Sequence, residues 1–257
     1  FHGEPPPPPP RSVVEEGRPT IAAGCNHSAF VSAEGRLLTC GTDEDEDGDV
    51  GEPAGLGHGE QQVVAVPTVV PGLAAVRMSS VSAANAHTLA LSEDGAVYSF
   101  GWGDAGRLGH GDEENLRTPR VIEGLRGVRA CAVAAGGGHS LVLAASGAIY
   151  SFGIGGDGRL GHGDEDGQLT PKVIEALRSV RVCAVAAGGA YSLVLGTGGE
   201  VYSFGYCCNG QLGHGDRAMQ PTPQVIKALK GVKVRAVAAG WRHSLVVSSA
   251  GKVYSFG

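Results

Sequence analysis

Residues 130–164 read ACAVAAGGGHSLVLAASGAIYSFGIGGDGRLGHGD and contain three short patterns that recur along the chain. Tyr-Ser-Phe-Gly occurs every 52 residues, at 98–101, 150–153, 202–205 and 254–257. Leu-Gly-His-Gly keeps the same 52-residue spacing, at 56–59, 108–111, 160–163 and 212–215. Ala-Ala-Gly-x-x-His-Ser occurs at 134–140 and 238–244, and at 186–192 with Tyr191 in the histidine position. Three patterns in one register identify an array of sequence repeats.

Within each repeat the apolar residues follow a period of two, which is typical of β-strands. In 129–135 larger residues alternate with alanine, and apolar runs follow at 140–143 and 148–152. A run after proline, such as 119–122, predicts an outer edge strand. We therefore predict about four short antiparallel strands in each repeat. The turns between them are predicted to be primed hairpin turns, at Asp94-Gly95, Ser146-Gly147, Gly198-Gly199 and Ala250-Gly251.

Small antiparallel sheets are stabilised when they stack around an axis, because each sheet then buries both faces and closure removes exposed edges. The predicted fold is all-β, a β-propeller of repeats of about 52 residues. The array is incomplete, with about four to five blades. The predicted repeats are 19–73, 74–125, 126–177 and 178–229, followed by a partial repeat at 230–257.

The N-terminal segment 1–18 differs in composition from the repeats, since it contains the proline run Pro5–Pro10. Polyproline is extended and semi-rigid and contributes little to a core. We predict that this segment is disordered and serves as a linker. The alternative is a ligand for an aromatic-lined groove on another protein.

Composition and charge argue against several classes of function. The formal net charge of −6 disfavours attraction to nucleic acid or to an anionic membrane surface. The stretch 130–156 has no charged residue, but its glycine-rich turns and its recurrence argue against a membrane span. None of the six cysteines forms a C-x-x-C pair, so we predict free thiols and an intracellular location, in the cytoplasm or the nucleus.

Eight of the nine histidines fall at two repeat positions. Equivalent residues of a radial array lie on different blades, so we predict structural hydrogen bonding and no metal site. The alternative is a ring of imidazoles around a narrow axis that binds a metal. The first series is His27, His87, His139 and His243, and the second is His58, His110, His162 and His214. The aspartates predicted to accept backbone N–H bonds in the adjoining turns are Asp112, Asp164 and Asp216.

An acidic insertion at 42–53 distinguishes the first repeat, and we predict that Asp43, Glu44 and Asp45 contact a basic partner. Its acidic spacing resembles the start of a calcium-binding loop, but the twelfth position is Ala54 instead of Glu. A solvated acidic loop is therefore favoured over a calcium site. A Gly-x-Gly-x-x-Gly motif at 101–106 lacks a following helix, which argues against a nucleotide site. We predict no cofactor and no catalytic residue.

The three recurring patterns resemble the regulator of chromosome condensation repeat, and the resemblance covers about residues 20–257. The family fold is a seven-bladed propeller, so the resemblance implies that this chain is part of a longer protein. The family includes an exchange factor for the small GTPase Ran, propellers of HECT ubiquitin ligases and a plant ultraviolet-B photoreceptor. The photoreceptor carries tryptophans in Gly-Trp-Arg-His copies on neighbouring blades. Here the motif occurs once, at 240–243, and the equivalents of its tryptophan are Cys25, Asn85, Gly137 and Gly189.

The predicted function is a protein-interaction propeller without catalytic chemistry of its own. Its strands would keep the core while its variable loops bind the partner. Trp102, Trp241, Arg242 and the acidic insertion are the candidate contacts. The partner is predicted to be a protein, either a small GTPase or one with a basic surface. The resemblance leaves three alternatives open: a Ran-type exchange factor, a targeting domain of a larger ligase, and an ultraviolet-B photoreceptor.

Overall fold

The computed structural model describes residues 20–43, 53 and 55–257. Within this part of the chain, nineteen β-strands form five antiparallel sheets, which we call blades 1 to 5. Blade 1 consists of β1 Thr20–Ala23, β2 His27–Val31, β3 Leu37–Thr42 and β4 Val63–Val69. Blade 2 consists of β5 Met78–Ala84, β6 His87–Ser92, β7 Val97–Gly101 and β8 Leu116–Val121. Blade 3 consists of β9 Ala130–Ala135, β10 His139–Ala144, β11 Ile149–Gly153 and β12 Gln168–Val173.

The last two blades continue the same order of strands. Blade 4 consists of β13 Val182–Ala187, β14 Tyr191–Gly196, β15 Val201–Gly205 and β16 Gln220–Val225. Blade 5 has three strands in the structure, β17 Val234–Ala239, β18 Ser244–Ser248 and β19 Val253–Phe256. The connections include short 3₁₀ helices at Pro71–Leu73, Asp104–Gly106, Glu123–Leu125, Gly156–Gly158, Glu175–Leu177 and Lys227–Leu229. The sheets confirm the predicted all-β propeller array and its four-stranded blades.

The blades are arranged around an axis, because the first strand of each blade contacts the first strand of the next. These inner strands are rich in alanine, whose small side chain permits close approach. The core lies between successive sheets, as with Leu91 and Ile122 of blade 2 against Val142 and Phe152 of blade 3. The stacked faces therefore provide the burial that a single small sheet lacks.

The hairpin turns differ from the primed types that we predicted. In the turn after β6, the Gly95 N–H bonds to the Ser92 carbonyl, and Gly95 has a φ of 92°. Asp94 has no positive φ, and the same holds for Ser146 before Gly147. Primed turns require a positive φ at the first central residue, whereas here only the closing glycine is left-handed. The dipeptide spacing was consistent with both geometries.

The outer strands carry proline at equivalent positions, which limits pairing with other chains. Proline removes a backbone donor from an edge strand. These residues are Pro67, Pro119, Pro171 and Pro223.

Two further expectations can be compared with the structure. The uncharged stretch 130–156 forms β9, β10 and β11, and no helix among the described residues has the length and apolarity to cross a membrane. All six cysteines are free. Cys131 is exposed, which corrects the small core position that its alternating pattern predicts, while Cys183 is partly buried.

Blade 5 has an uncovered face in the described structure. Leu245 is 36% exposed, whereas its equivalents Leu89, Leu141 and Leu193 are fully buried between blades. Val253 is likewise 64% exposed, against 2% for Val97. These positions face the side on which a further blade would stack.

This difference predicts unequal costs for two matched substitutions. Leu141→Ala should lower the free energy of unfolding by about 3 kcal/mol, because it removes fully buried methyl groups and leaves a cavity. Leu245→Ala should cost less than about 1 kcal/mol, since the leucine already contacts water. Urea unfolding followed by circular dichroism measures both. Equal costs would show that the two leucines share the same environment in solution.

Candidate functional site

An open cleft of about 450 Å³ lies at one end of the array, where loops of blades 2 to 5 converge. One side is formed by the turns between the first and second strands, which carry Asn85, Gly137 and Trp241. The other side is formed by the loops that follow the third strands, which carry Trp102 and Tyr206. Antiparallel strands bring both kinds of loop to the same end of each blade. Three of the predicted contacts, Trp102, Trp241 and Arg242, therefore line one cleft.

Trp102 is supported by a buried arginine. The guanidinium carbon of Arg107 lies 4.3 Å from the centre of the Trp102 ring, a cation–π contact. Arg107 donates from Nη2 to Asp104 Oδ2 at 2.9 Å and from Nε to the Asp104 carbonyl at 2.9 Å. Burial lowers the pKa of Arg107, and the Asp104 carboxylate opposes that shift. The indole is therefore held in one orientation above a fixed cation.

Arg159 repeats this arrangement one blade further on. It donates from Nη2 to Asp157 Oδ2 and from Nε to the Gly156 carbonyl, both at 2.8 Å. The position above it holds Ile154 instead of tryptophan. The two arginines are thus neutralised by acidic neighbours and have a mainly structural role in the cleft.

The Trp241 indole lies against the turns of blades 3 and 4 that carry Gly137 and Gly189, and it is 57% exposed. A Cβ atom at Gly137 would lie 3.0 Å from its Cζ3, and one at Gly189 would lie 3.0 Å from its Cδ2. The Gly189 N–H donates to the Trp241 carbonyl at 3.2 Å. Glycines at both positions therefore allow the indole to lie flat over the backbone of blades 3 and 4.

Arg242 is the cation of the cleft that has no ion pair with a described residue, and it is exposed. Tyr206 lies near it, since Arg242 lowers the pKa of that phenol. A hydrogen bond with the Cys208 thiol is the larger influence and raises the Tyr206 pKa overall. The cleft therefore presents two tryptophans, a tyrosine and one available guanidinium.

The first histidine series links neighbouring blades. His87 Nε2 lies 3.0 Å from Ser140 Oγ of the next blade, and that hydroxyl donates to the Arg107 carbonyl at 2.8 Å. Because the serine proton is used in this way, the histidine donates from Nε2. His27 with Thr88 and His139 with Ser192 form the same contact, at 2.8 and 2.9 Å.

Burial determines the charge state of these imidazoles. It lowers the pKa of His27 to about 4 and of His139 to about 3, and it places that of His87 well below 6.5. Tyr191 takes the histidine position of blade 4, and its hydroxyl contacts the carbonyl of His243. His243 itself is exposed on blade 5. His27, His87 and His139 are therefore held as neutral side chains between neighbouring blades.

The second histidine series fixes the loop after each third strand within its own blade. His110 Nε2 lies 2.8 Å from Ser99 Oγ, which donates to the Leu108 carbonyl at 2.7 Å. The equivalent contacts to a hydroxyl are 2.9 Å for His58, 3.0 Å for His162 and 3.0 Å for His214. Among the described residues, no group of three His, Cys, Asp or Glu side chains could hold a metal ion.

The three aspartates of these loops accept backbone hydrogen bonds two residues further along the chain. Asp112 Oδ1 accepts from the Glu114 N–H at 3.2 Å. Asp164 accepts from Asp166 at 3.2 Å, and Asp216 accepts from Ala218 at 3.0 Å. These bonds are Asx turns that shape the loops behind the cleft.

Asp43, the described acidic residue of the insertion, is not among the residues that line the cleft. Asp43 is buried and its carboxylate pairs with Arg117 Nη1 of blade 2 at 3.4 Å, which differs from the exposed contact that we predicted. Its negative charge is used inside the array to join two blades. Glu44 and Asp45 lie outside the described residues, as does the proline run Pro5–Pro10.

Arg107, Arg159 and Tyr206 line the cleft but were not predicted from the sequence to belong to a site. The arginines belong to the recurring Gly-Arg-Leu-Gly-His-Gly-Asp pattern and were treated as repeat residues. The sequence did contain one indication that these arginines are special. The positions equivalent to Arg107 and Arg159 hold Gly55 in blade 1 and Gln211 in blade 4. An arginine confined to two adjacent repeats indicates a local surface.

Comparison with known proteins agrees with these observations. The model of the Regulator of chromosome condensation (RCC1) repeat matches residues 94–143, 146–195 and 198–247, and a second model of that repeat matches 78–107. The ultraviolet-B receptor UVR8 of Arabidopsis thaliana is 37% identical over 239 residues, which cover 92% of this chain and 52% of the receptor. The human E3 ubiquitin-protein ligase HERC2 is 37% identical over 227 residues, which cover 88% of this chain and 4% of the ligase.

The fold also matches a solved structure. Yeast RCC1 (Prp20) bound to Kap60 superposes with a TM-score of 0.78 at 26% identity, over 91% of this chain and 55% of that one. The chain thus spans about half the length of the receptor and of yeast RCC1, and a small part of the ligase. From its repeats, its blades and these matches, the chain belongs to the regulator of chromosome condensation (RCC1) repeat family.

Proposed function

We propose that this chain is a protein-binding propeller that holds its partner in the cleft at the axis and performs no catalysis itself. The observation that carries the proposal is the exposed Trp241 beside the available guanidinium of Arg242. Tryptophan, tyrosine and arginine are the residues that most often dominate the energy of protein interfaces. Trp102 and Tyr206 add two more such groups on rigid blades.

The matched relatives support a protein partner without identifying it. One solved relative is bound to Kap60, and others are ubiquitin ligases of which the matched region is a small part. A small GTPase, or another protein with a basic surface, is the partner that we propose. The six free thiols favour a reducing compartment, so we place the protein in the cytoplasm or the nucleus.

Photoreception is the alternative that a specific residue supports. Trp241 and Arg242 belong to the Gly-Trp-Arg-His motif, and the receptor UVR8 is 37% identical to this chain. The equivalents of Trp241 on blades 2 to 4 are Asn85, Gly137 and Gly189, so these blades add no neighbouring indole at that position. A change of oligomeric state under ultraviolet-B light would favour this alternative over a light-independent scaffold. Two further alternatives are nucleotide exchange on a small GTPase and the targeting of a larger ligase. No particular residue of this chain argues for either of them.

Substitution of both tryptophans tests the cleft. The chain is immobilised, and proteins retained from a cell extract are quantified by mass spectrometry. Retention of the specific partners should fall more than tenfold for Trp102→Ala/Trp241→Ala, because each anchor contributes about 2 kcal/mol or more. Val66→Ala is the control, since Val66 is 67% exposed on the outer strand of blade 1. If both variants retain the same proteins as the wild type, the cleft is not the binding surface.

A further inference from the structure

The end of the array opposite the cleft carries a second surface, which is charged. At this end, each 3₁₀ helix after an outer strand leads into the inner strand of the next blade. The hairpin turn between the second and third strands lies beside it, as shown by the Ser249 N–H bond to the Lys233 carbonyl at 2.7 Å. We call each such pair of segments a junction. Strands of six residues separate the junctions from the cleft by about 20 Å.

The last junction, before and within blade 5, differs from the earlier ones in its charge. All five of its charged positions are basic, and all five side chains are exposed. None of them forms an ion pair with a described residue. The five residues are Lys227, Lys230, Lys233, Arg235 and Lys252. We call them the basic end.

The earlier junctions carry acidic residues, and in each of these junctions one of them pairs with a basic neighbour. Between blades 3 and 4, Glu175 replaces Lys227 and pairs with Arg178. Between blades 2 and 3, Glu123 pairs with Arg126 at 3.5 Å. Between blades 1 and 2, Arg77 pairs with Glu93 at 3.0 Å. The net positive charge is therefore a local property of blade 5 on a chain whose formal charge is −6.

We propose that the basic end binds an acidic peptide segment of a partner protein. Opposite charges in a complementary arrangement steer association and select the partner. The cations occupy a single three-stranded blade, about 10 Å across. An extended run of roughly six acidic residues is about 20 Å long and therefore covers all of them. Nucleic acid fits less well, because a duplex would continue onto neighbouring junctions that carry glutamates. In addition, no exposed aromatic side chain lies among the five cations for base stacking. The proposal does not depend on the cleft.

Binding of a labelled peptide with six consecutive glutamates tests the basic end. Fluorescence anisotropy in about 50 mM salt should show saturable binding to the whole chain, and added salt should weaken it. Lys230→Glu/Lys233→Glu should raise the Kd by about tenfold, because two attractive contacts become repulsive. Both side chains are exposed, so the variant should keep the wild-type circular dichroism spectrum.

The matched control is Arg126→Glu/Arg129→Glu, which makes the same change of net charge at the equivalent positions between blades 2 and 3. It should change the Kd less than twofold. Equal weakening by both double variants would show that bulk charge, not the basic end, attracts the peptide. Absence of peptide binding to the wild type, or tighter binding of a 20-base-pair duplex through Lys230 and Lys233, would also overturn the proposal.

Discussion

Lowering the pH from 7 to 4 should remove several kcal/mol of the free energy of unfolding of this protein. The cause is the first histidine series, in which His27, His87 and His139 are buried as neutral imidazoles. Their pKa values are lowered by burial, to about 4 for His27 and about 3 for His139. In the unfolded chain the same groups titrate near their ordinary pKa of about 6.5.

The direction of this effect follows from proton binding. Below pH 6.5 the unfolded state takes up protons that the folded state excludes, so stability falls as the pH falls. The loss continues until the folded pKa is reached, about 4 for His27 and about 3 for His139. Each imidazole contributes a slope of about 1.4 kcal/mol per pH unit within its window. The second series adds to the slope in the same direction, because burial lowers the pKa of His110 to about 4 and also lowers those of His58, His162 and His214.

Urea unfolding at pH 7, 6 and 5 measures this slope. His139→Gln is the informative variant, since its amide can still donate to Ser192 Oγ but does not titrate in this range. Unfolding of this variant should take up about one proton fewer than unfolding of the wild type. Its free energy of unfolding should therefore change less steeply with pH. A free energy of unfolding that stays constant from pH 7 to 5, or an unchanged slope in His139→Gln, would contradict the prediction.

The fold could be predicted because local patterns report it directly. Alternating apolar residues specify strands. Recurring patterns such as Tyr150–Gly153 keep a fixed spacing, so the repeats could be aligned with one another in only one way. The turn type could not be predicted in the same way. Ser146-Gly147 is compatible with two backbone geometries, and the observed one has a left-handed conformation at the glycine alone.

The cleft was only partly predictable, because it depends on how blades are placed relative to one another. The sequence indicated that Trp102 and Trp241 are unusual in their repeats, but not that both line one cleft. Asp43 shows the same limit, since its partner Arg117 is 74 residues away and on another blade. In the sequence, a buried and paired aspartate within an acidic run looks the same as an exposed aspartate until its partner is known. Long-range placement was therefore the missing information in both cases.

Gly153→Ala should cost at least about 4 kcal/mol or abolish folding, because two separate effects add at this position. Gly153 ends β11 with a φ of 108°, a conformation that residues with a Cβ atom rarely adopt. A Cβ atom there would also lie 2.5 Å from the Gly138 carbonyl oxygen and 3.2 Å from Arg107 Cα of the preceding blade. Both neighbours are backbone atoms, which cannot rotate away as a side chain can. The substitution would therefore force β11 away from the start of β10 within blade 3, and it would also press on blade 2 at Arg107.

Gly147→Ala isolates the conformational part of this cost. Gly147 has a φ of 91°, and a Cβ atom there would meet nothing within 4 Å. Its substitution should cost about 1 kcal/mol from strain alone. Urea unfolding of both variants separates the two contributions, because the backbone clash is present only at Gly153. If the two alanine variants were within 1 kcal/mol of each other, the close approach of backbone atoms at Gly153 would not be limiting for stability.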